Sequence, residues 1–93
     1  MKDVIILKEQ EIGGVRTYEQ EDVIKAVSYE LKTNLIDIGG ALSPQTFFNF
    51  ITTADLKNGM VVLVDNAFYR ISGDSTAAFS GLKKYSAVRI DDE

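Results

Sequence analysis

Residues 55–71 constrain the fold of this chain more than any other segment. Asn58-Gly59 interrupts the preceding pattern, an apolar run follows over 60–64, Asp65-Asn66 turns the chain, and a second β-rich run follows over 68–71. Two such runs separated by two turn-forming residues are typical of a tight antiparallel hairpin. The sequence therefore predicts an ordered domain that contains at least one hairpin.

Length and composition predict one small domain over residues 1–93. Of the 93 residues, 45% are hydrophobic, which is ordinary for a folded protein. A domain of this size buries only about 60–65% of the surface that its unfolded chain exposes. The chain has no cysteine, so no disulfide adds stability. A second subunit would supply additional stability, and we expect a homo-oligomer or a larger assembly.

The segment over 18–32 has the pattern of an amphipathic helix. Thr17 and Gln20 have the spacing of a capping box. Three apolar residues then recur at every fourth position: Val23, Val27 and Leu31. Because residues four apart lie on one side of a helix, this spacing predicts one apolar stripe.

A second, shorter helix is predicted over about 44–52. Ser43 is a favourable N-cap, and Pro44 suits the first helical position because its missing N–H has no partner there. Val4–Leu7 and residues 82–90 are predicted strands, and the glycine pairs at 13–14 and 39–40 are predicted turns. Together these elements predict an α+β domain: a small, mostly antiparallel sheet or a partly closed SH3-like barrel with these two helices.

The residues around the predicted hairpin resemble those that open small SH3-like barrels. Residues 53–62, followed by 65–71, are similar to the first domain of elongation factor P, in which a glycine-ended turn precedes a strand, a tight turn and an aromatic-rich strand. The lysine-bearing glycine loop of that family is replaced here by residues 73–78. The resemblance implies a small barrel and carries no function with it.

Composition excludes the commonest reaction chemistries. With neither histidine nor cysteine in the chain, a Ser-His-Asp triad and a thiol nucleophile cannot form, and a structural zinc site is essentially excluded. No phosphate-binding or EF-hand motif is present. Asp37, Asp65 and Asp74 lie at predicted turns or strand ends, where aspartate bonds nearby amides, although two that converged would form an acid/base pair or a metal site. We expect no enzyme activity, no cofactor and no metal.

Charge and hydropathy indicate the setting. The net charge of −4 argues against general nucleic-acid binding, and the longest apolar run, residues 60–64, is too short for a signal-peptide core or a membrane span. We therefore expect a protein made without a signal peptide, located in the cytoplasm or in a virion, with no membrane contact.

Two features of the sequence are candidates for binding a protein partner. The strand Val4-Ile5-Ile6-Leu7 is apolar at every position, and its backbone could pair with another chain. Phe48 points away from the side that Phe47 and Phe50 share in the predicted short helix, so it would be an exposed anchor.

Two alternatives use charge instead. A nucleic-acid face would combine cations with aromatic side chains on neighbouring strands: Tyr69, Arg70, Lys83, Lys84 and Tyr85. An acidic inhibitor would fit a basic groove of a partner with the C-terminal tail and with acidic residues of the first helix: Glu19, Glu21, Asp22 and Glu30.

The sequence thus favours a non-catalytic structural or assembly protein that acts through packing surfaces. A compact, acidic domain without cysteine is similar in general style to small phage-encoded virion or accessory proteins. The nucleic-acid-binding module and the acidic inhibitor remain the alternatives.

Overall fold

A computed structural model describes residues 1–73, 75–77 and 80–90, and the regular structure of these residues is entirely β. The strands are β1 (Lys2–Ile12), β2 (Val15–Ala26), β3 (Ser28–Ile38), β4 (Ala41–Thr52), β5 (Val61–Val64), β6 (Ala67–Ile71), β7 (Thr76–Ala77) and β8 (Lys83–Ile90). They form one antiparallel sheet in the order β2-β1-β5-β6-β8-β4-β3, and the short β7 pairs with β8 outside that order.

The hairpin predicted from residues 55–71 is confirmed. β5 pairs with β6 from Val61 opposite Arg70 to Val64 opposite Ala67. Asp65 and Asn66 connect the strands with φ angles of 49° and 65°. A two-residue turn with positive φ at both positions matches the twist of the strands that it joins, which is why these residue types occupy it.

The helix predicted over 18–32 is absent, because this segment forms β2 and the start of β3. A spacing of four residues fits a strand as well as a helix, since it contains two full strand repeats. The segment is also rich in β-branched and aromatic side chains, which favour extended backbone. Pairing with β1 and β4 supplies the backbone hydrogen bonds that a helix would make internally.

The helix predicted over 44–52 is also absent, and the segment belongs to β4. Phe48, Phe50 and Thr52 are buried while the residues between them are partly exposed, so burial follows the two-residue period of a strand. Pro44 is compatible with β4 because β8 pairs with β4 only from Phe47 to Thr52. The predicted α+β class is therefore wrong: the described residues form an all-β domain.

Two long hairpins make up more than half of the chain. We call residues 2–26 the first arm (β1 and β2) and residues 28–52 the second arm (β3 and β4). Each arm turns at a glycine pair, Gly13-Gly14 or Gly39-Gly40, and all four of these glycines have positive φ. The two predicted glycine turns are thus confirmed, as two-residue hairpin loops.

The outermost strands of the sheet meet at one end. β2 continues into β3 through Val27 alone, although the two strands occupy opposite ends of the strand order. The Val27 N–H donates to the Ile51 carbonyl oxygen over 2.8 Å, and the Thr52 hydroxyl donates to the Lys25 carbonyl oxygen over 2.9 Å. The sheet is therefore curled, and the arms extend from this junction to their turns.

The core fills the inside of the curl. Its buried side chains come from both arms, the central hairpin, β8 and the segment before β5: Val4, Ile6, Ala26, Phe48, Phe50, Leu56, Val62, Val64, Tyr69, Ile71, Tyr85 and Ala87. The Tyr85 hydroxyl donates to the Ala54 carbonyl oxygen over 2.9 Å and accepts from the Leu56 N–H over 2.8 Å. These bonds fix the segment that closes the core beside β5.

Candidate protein-interaction surface

One face of the second arm continues the core face of the sheet outward. Residues directly opposite each other in an antiparallel pair project on the same side. Leu31 lies opposite the core residue Phe48, Leu35 lies opposite Pro44, and Leu42 lies opposite Asp37. Tyr29, opposite Phe50, belongs to the same face. We call Tyr29, Leu31, Leu35, Leu42 and Pro44 the apolar arm face.

Exposure rises along this face from the junction to the turn. Tyr29 is 46% exposed, Leu31 is 58% exposed, and Leu35 and Leu42 are 67% and 69% exposed. Apart from the Thr33–Thr46 pair and Asp37, the face therefore stays apolar towards the turn while its side chains become more exposed. Large apolar side chains clustered on one exposed face mark interaction surfaces more often than the same residues scattered singly.

The second arm carries little charge. Its 25 residues include only Glu30, Lys32 and Asp37, whereas the 25 residues of the first arm include ten charged side chains. Residues in the centre of protein–protein interfaces are likewise depleted of charge, because each buried charge must lose its water. None of the ion pairs in the described residues includes a residue of β3 or β4.

The first arm is held to the sheet by charge and by one aromatic contact. Arg70 donates to Glu9 over 3.0 Å, and Arg16 lies 3.6 Å from the same carboxylate. The hydrogen bond from Arg70, which stabilises the anion, holds the pKa of Glu9 below its ordinary value. The rings of Tyr18 and Phe68 lie 5.4 Å apart, so the arm also packs against β6.

The structure encloses the partner-binding residues predicted from the sequence. Val4, Ile6 and Leu7 are buried, and Ile5 is half-buried. β1 pairs with β2 along its whole length and with β5 at Ile5, Ile6 and Leu7, so the predicted interface strand is a central strand. Its four consecutive apolar residues are explained by cover on both faces.

Phe48 is likewise enclosed, and the expectation that it would be exposed is wrong. Its ring centroid lies 5.1 Å from that of Phe50 and 5.5 Å from that of Tyr69. Because this segment is a strand, Phe48 and Phe50 share a side and Phe47 is on the other. In the predicted helix, by contrast, Phe48 lay on the exposed side, away from Phe47 and Phe50.

The residues of the predicted nucleic-acid face do not share one surface. Tyr69 and Tyr85 are buried in the core, at 4% and 2% exposure. Arg70, the neighbour of Tyr69 in β6, projects on the opposite side and pairs with Glu9. Lys83 pairs with Asp55, and Lys84 is exposed. The aromatic rings that base stacking requires are therefore unavailable at this place.

The predicted acidic groups lie on strands. Glu19, Glu21 and Asp22 belong to β2 and Glu30 belongs to β3, at opposite ends of the strand order. The helix that was to present them together is absent, and the C-terminal tail, residues 91–93, lies outside the described residues.

Two of the three predicted turn aspartates have turn roles. Asp37 accepts from the Gly40 N–H over 3.1 Å, and Asp65 lies in the β5–β6 turn, where it bonds Lys2 over 2.7 Å. Asp74 lies outside the described residues. Among the residues that are described, no group of three or more acidic side chains is placed to hold a metal ion.

Sequence reasoning missed the apolar arm face because it assigned Leu31 to the first helix and Pro44 to the start of the second. The available signal was the glycine pair at 39–40, which has β-forming residues on both sides. Two-residue glycine turns between such runs indicate hairpins. Applied to both glycine pairs, this rule would have predicted both arms.

Comparisons with known proteins assign this chain to no family. The sequence matches no protein-family model, and a search of curated proteins gives no significant match. In the described part of the chain, no helix has the length and apolar character needed to cross a membrane.

Proposed function

We propose that this chain is a non-catalytic assembly protein that contacts other protein subunits through the apolar arm face. The observation that supports this proposal most directly is the exposure of Leu31, Leu35 and Leu42, at 58–69%, on a face that continues the core. Full burial of a leucine side chain contributes roughly 1.5–3 kcal/mol. Covering these residues together would therefore supply a substantial part of a binding energy.

The acidic groups available for chemistry support the non-catalytic part of the proposal. Of the predicted turn aspartates, Asp37 bonds a turn amide and Asp65 is paired with Lys2. Glu9, whose pKa is lowered by the hydrogen bond from Arg70, is held as an anion between two arginines, which is unfavourable for a general base at neutral pH. These carboxylates act as structural groups.

A site-specific photocross-linking experiment tests the proposed contact. One variant carries a photoreactive amino acid at Leu42, which is 69% exposed at the tip of the second arm, and a matched control carries it at Val15, which is 61% exposed at the tip of the first arm. In an extract of the native source, we expect one specific protein to cross-link at position 42 and not at position 15.

The cross-linked protein must then bind the pure chain. We expect binding to be lost when Leu35 and Leu42 are both replaced by lysine, because two charges would be buried in an apolar contact. Equal cross-linking at both tips, or binding that survives the double substitution, would contradict the proposal. A gene neighbourhood among capsid and tail genes would support the virion setting expected from the sequence.

A further inference from the structure

The outer edge of β3 presents backbone N–H and C=O groups that can pair with another strand. In the described residues, β3 ends the strand order and no strand pairs with its outer side. The two-residue turn makes Ile38 and Ala41 a hydrogen-bonded pair. Since hydrogen-bonded and non-hydrogen-bonded pairs alternate, the even-numbered residues of β3 bond to β4. The amides and carbonyls of Tyr29, Leu31, Thr33, Leu35 and Asp37 therefore point outward.

The edge at the opposite end of the sheet is protected against such pairing. β2 contains a bulge, because Gln20 and Asp22 face the successive residues Leu7 and Ile6 and leave Glu21 without a partner. Glu19 and Asp22 add further charge beside the bulge. Bulges and charges are the usual protection of an exposed edge. β3 pairs with β4 without a register shift, and its charged residues are Glu30, Lys32 and Asp37.

We propose that the outer edge of β3 pairs antiparallel with β3 of a second copy of this chain, in a register centred on Thr33. This inference rests on the proposed assembly function, and it names a second copy of the chain as the partner that binds the edge of the second arm. The pairing is isologous, so each copy gives and receives the same contacts. It joins the two sheets through the groups that point outward from β3 and leaves the bulged edge of β2 free.

The side chains select this register. With Thr33 at the centre, all eleven residues of β3 find partners, and Leu31 of one copy lies opposite Leu35 of the other. Lys32 lies opposite Asn34, whereas a register centred on position 32 would bring two lysines together, which is unfavourable. A register centred on position 34 would place Leu31 opposite Asp37.

Charge complementarity supports the same register. The Lys2 ammonium lies 5.1 Å from the ring centroid of Tyr29. In the register centred on Thr33, Asp37 of the second copy lies opposite Tyr29, so a second carboxylate approaches this ammonium group, which already pairs with Asp65. Because the contact forms twice in a symmetric pair, it favours the register at both ends.

The size of the interface fits a weak, reversible dimer. An eleven-residue edge is roughly 37 Å long and presents roughly 400 Å² per copy at a sheet thickness of about 10 Å. Partial burial of four leucines brings the total for both copies to roughly 1,000 Å². This lies below the about 1,600 Å² of standard interfaces. We therefore expect dissociation in the micromolar range.

Sedimentation equilibrium over about 1–500 µM, which brackets that range, tests the dimer. We expect the mass to rise from one chain towards two. Thr33→Pro removes the outward N–H together with the side-chain bond to Thr46, and should weaken the dimer at least tenfold, about 1.4 kcal/mol. Thr33→Val, which loses the same bond to the Thr46 hydroxyl but keeps the N–H, should dimerise like the wild type. A wild-type monomer throughout, or an assembly unaffected by a folded Thr33→Pro, overturns the inference.

Disulfide trapping tests the register and does not depend on the folding of the proline variant. The chain has no cysteine, so Lys32→Cys and Asn34→Cys each introduce one thiol. In the proposed register these positions form a non-hydrogen-bonded pair, with Cα atoms about 4.5 Å apart, within disulfide range. Two copies of the same variant would place their thiols on a diagonal, outside that range.

We therefore expect an oxidised equimolar mixture to give mainly the mixed dimer, in several-fold excess over either like pair. Dimers of Lys32→Cys alone, or cross-linking equal in all three combinations, would overturn the register. The outcome is separable from that of the assembly function. A monomeric chain that still cross-links another protein at position 42 would refute the dimer and leave the assembly function intact.

Discussion

The two arms have the same length and the same kind of turn, but they differ in how their outer parts are covered. The first arm returns to the sheet, where Glu9 meets Arg70 and the ring of Tyr18 lies 5.4 Å from that of Phe68. The second arm keeps the apolar face of the core to its tip, where Leu42 is 69% exposed. A hairpin can thus extend a sheet without completing its cover, and the uncovered face is available to another subunit.

The largest effect should come from the point where the second arm enters the core. Phe48→Ala removes a fully buried ring that contacts Phe50 and Tyr69. Because the cavity cannot fill completely, we expect the free energy of unfolding to fall by about 3–5 kcal/mol in urea denaturation. Leu35→Ala, farther out on the same face, should change it by less than about 0.5 kcal/mol. Similar losses for the two variants would show that the face is covered along its whole length.

A smaller effect should follow from loosening the first arm. Tyr18→Ala removes the aromatic contact with Phe68 and should lower the free energy of unfolding by about 1–2 kcal/mol. Amide hydrogens of residues 8–20 should then exchange faster, as measured by NMR. Val15→Ala, at the exposed tip of the same arm, should leave both quantities nearly unchanged. If Tyr18→Ala changes neither the free energy of unfolding nor the amide exchange rates, the contact with Phe68 does not hold the first arm, and the contrast with the second arm fails.

The ion pairs of the first arm should contribute less, and in a defined pH range. The hydrogen bond from Arg70 lowers the pKa of Glu9 below its ordinary value of 4.5. The folded state therefore binds the proton more weakly than the unfolded state, and this stabilisation is present above pH 4.5 and is lost as the pH falls through the folded pKa.

We expect Glu9→Gln to lower the free energy of unfolding by about 0.5 kcal/mol at neutral pH, the scale of an exposed ion pair. The difference from the wild type should vanish below the folded pKa in a series of urea denaturations. Glu21→Gln, at a position that belongs to none of the described ion pairs, should follow the wild-type curve at every pH. A difference that persists in acid would exclude the charge of Glu9 as the cause.

The smallest effect on stability should come from the tip of the second arm, where the effect on binding should be largest. Replacing Leu35 and Leu42 together by lysine should change the free energy of unfolding by less than about 0.5 kcal/mol, because both side chains are largely exposed. Retention on a hydrophobic column should nevertheless decrease. The matched variant, with lysine at Ile12 and Val15, should still bind the partner. If this variant also lost partner binding, the two arms would not differ in their contact with the partner.

The central hairpin was predictable because its information is local. Asp65 and Asn66 tolerate positive φ and lie between two short β-rich runs, so a window of about ten residues contains the whole signal. The glycine pairs were predictable as turns for the same reason. Val4–Leu7 was predicted as a strand, but most of β2 and the start of β3 were not, because Thr17, Gln20 and the spacing of Val23 and Val27 are also compatible with a helix.

The candidate surface was not predictable by the same means. Leu31 and Phe48 are both apolar, and nothing local states that one is 58% exposed and the other fully buried. That difference arises because Phe48 lies on β4, which β8 flanks, and packs against Phe50 and Tyr69, whereas Leu31 lies opposite it on the end strand β3. Val4–Leu7, chosen for its apolar run, proved to be a central strand for a similar long-range reason.

By itself, the sequence determined the turns, the absence of histidine and thiol chemistry, and the low charge of residues 28–52. Only the tertiary structure decided that residues 17–52 are extended, which apolar side chains are covered, and which edge of the sheet is left open. The physical reason is that turn geometry and side-chain chemistry belong to single residues and their neighbours. Burial and strand pairing belong to residues far apart in the chain, and here those contacts overrode a spacing that a helix and a strand share.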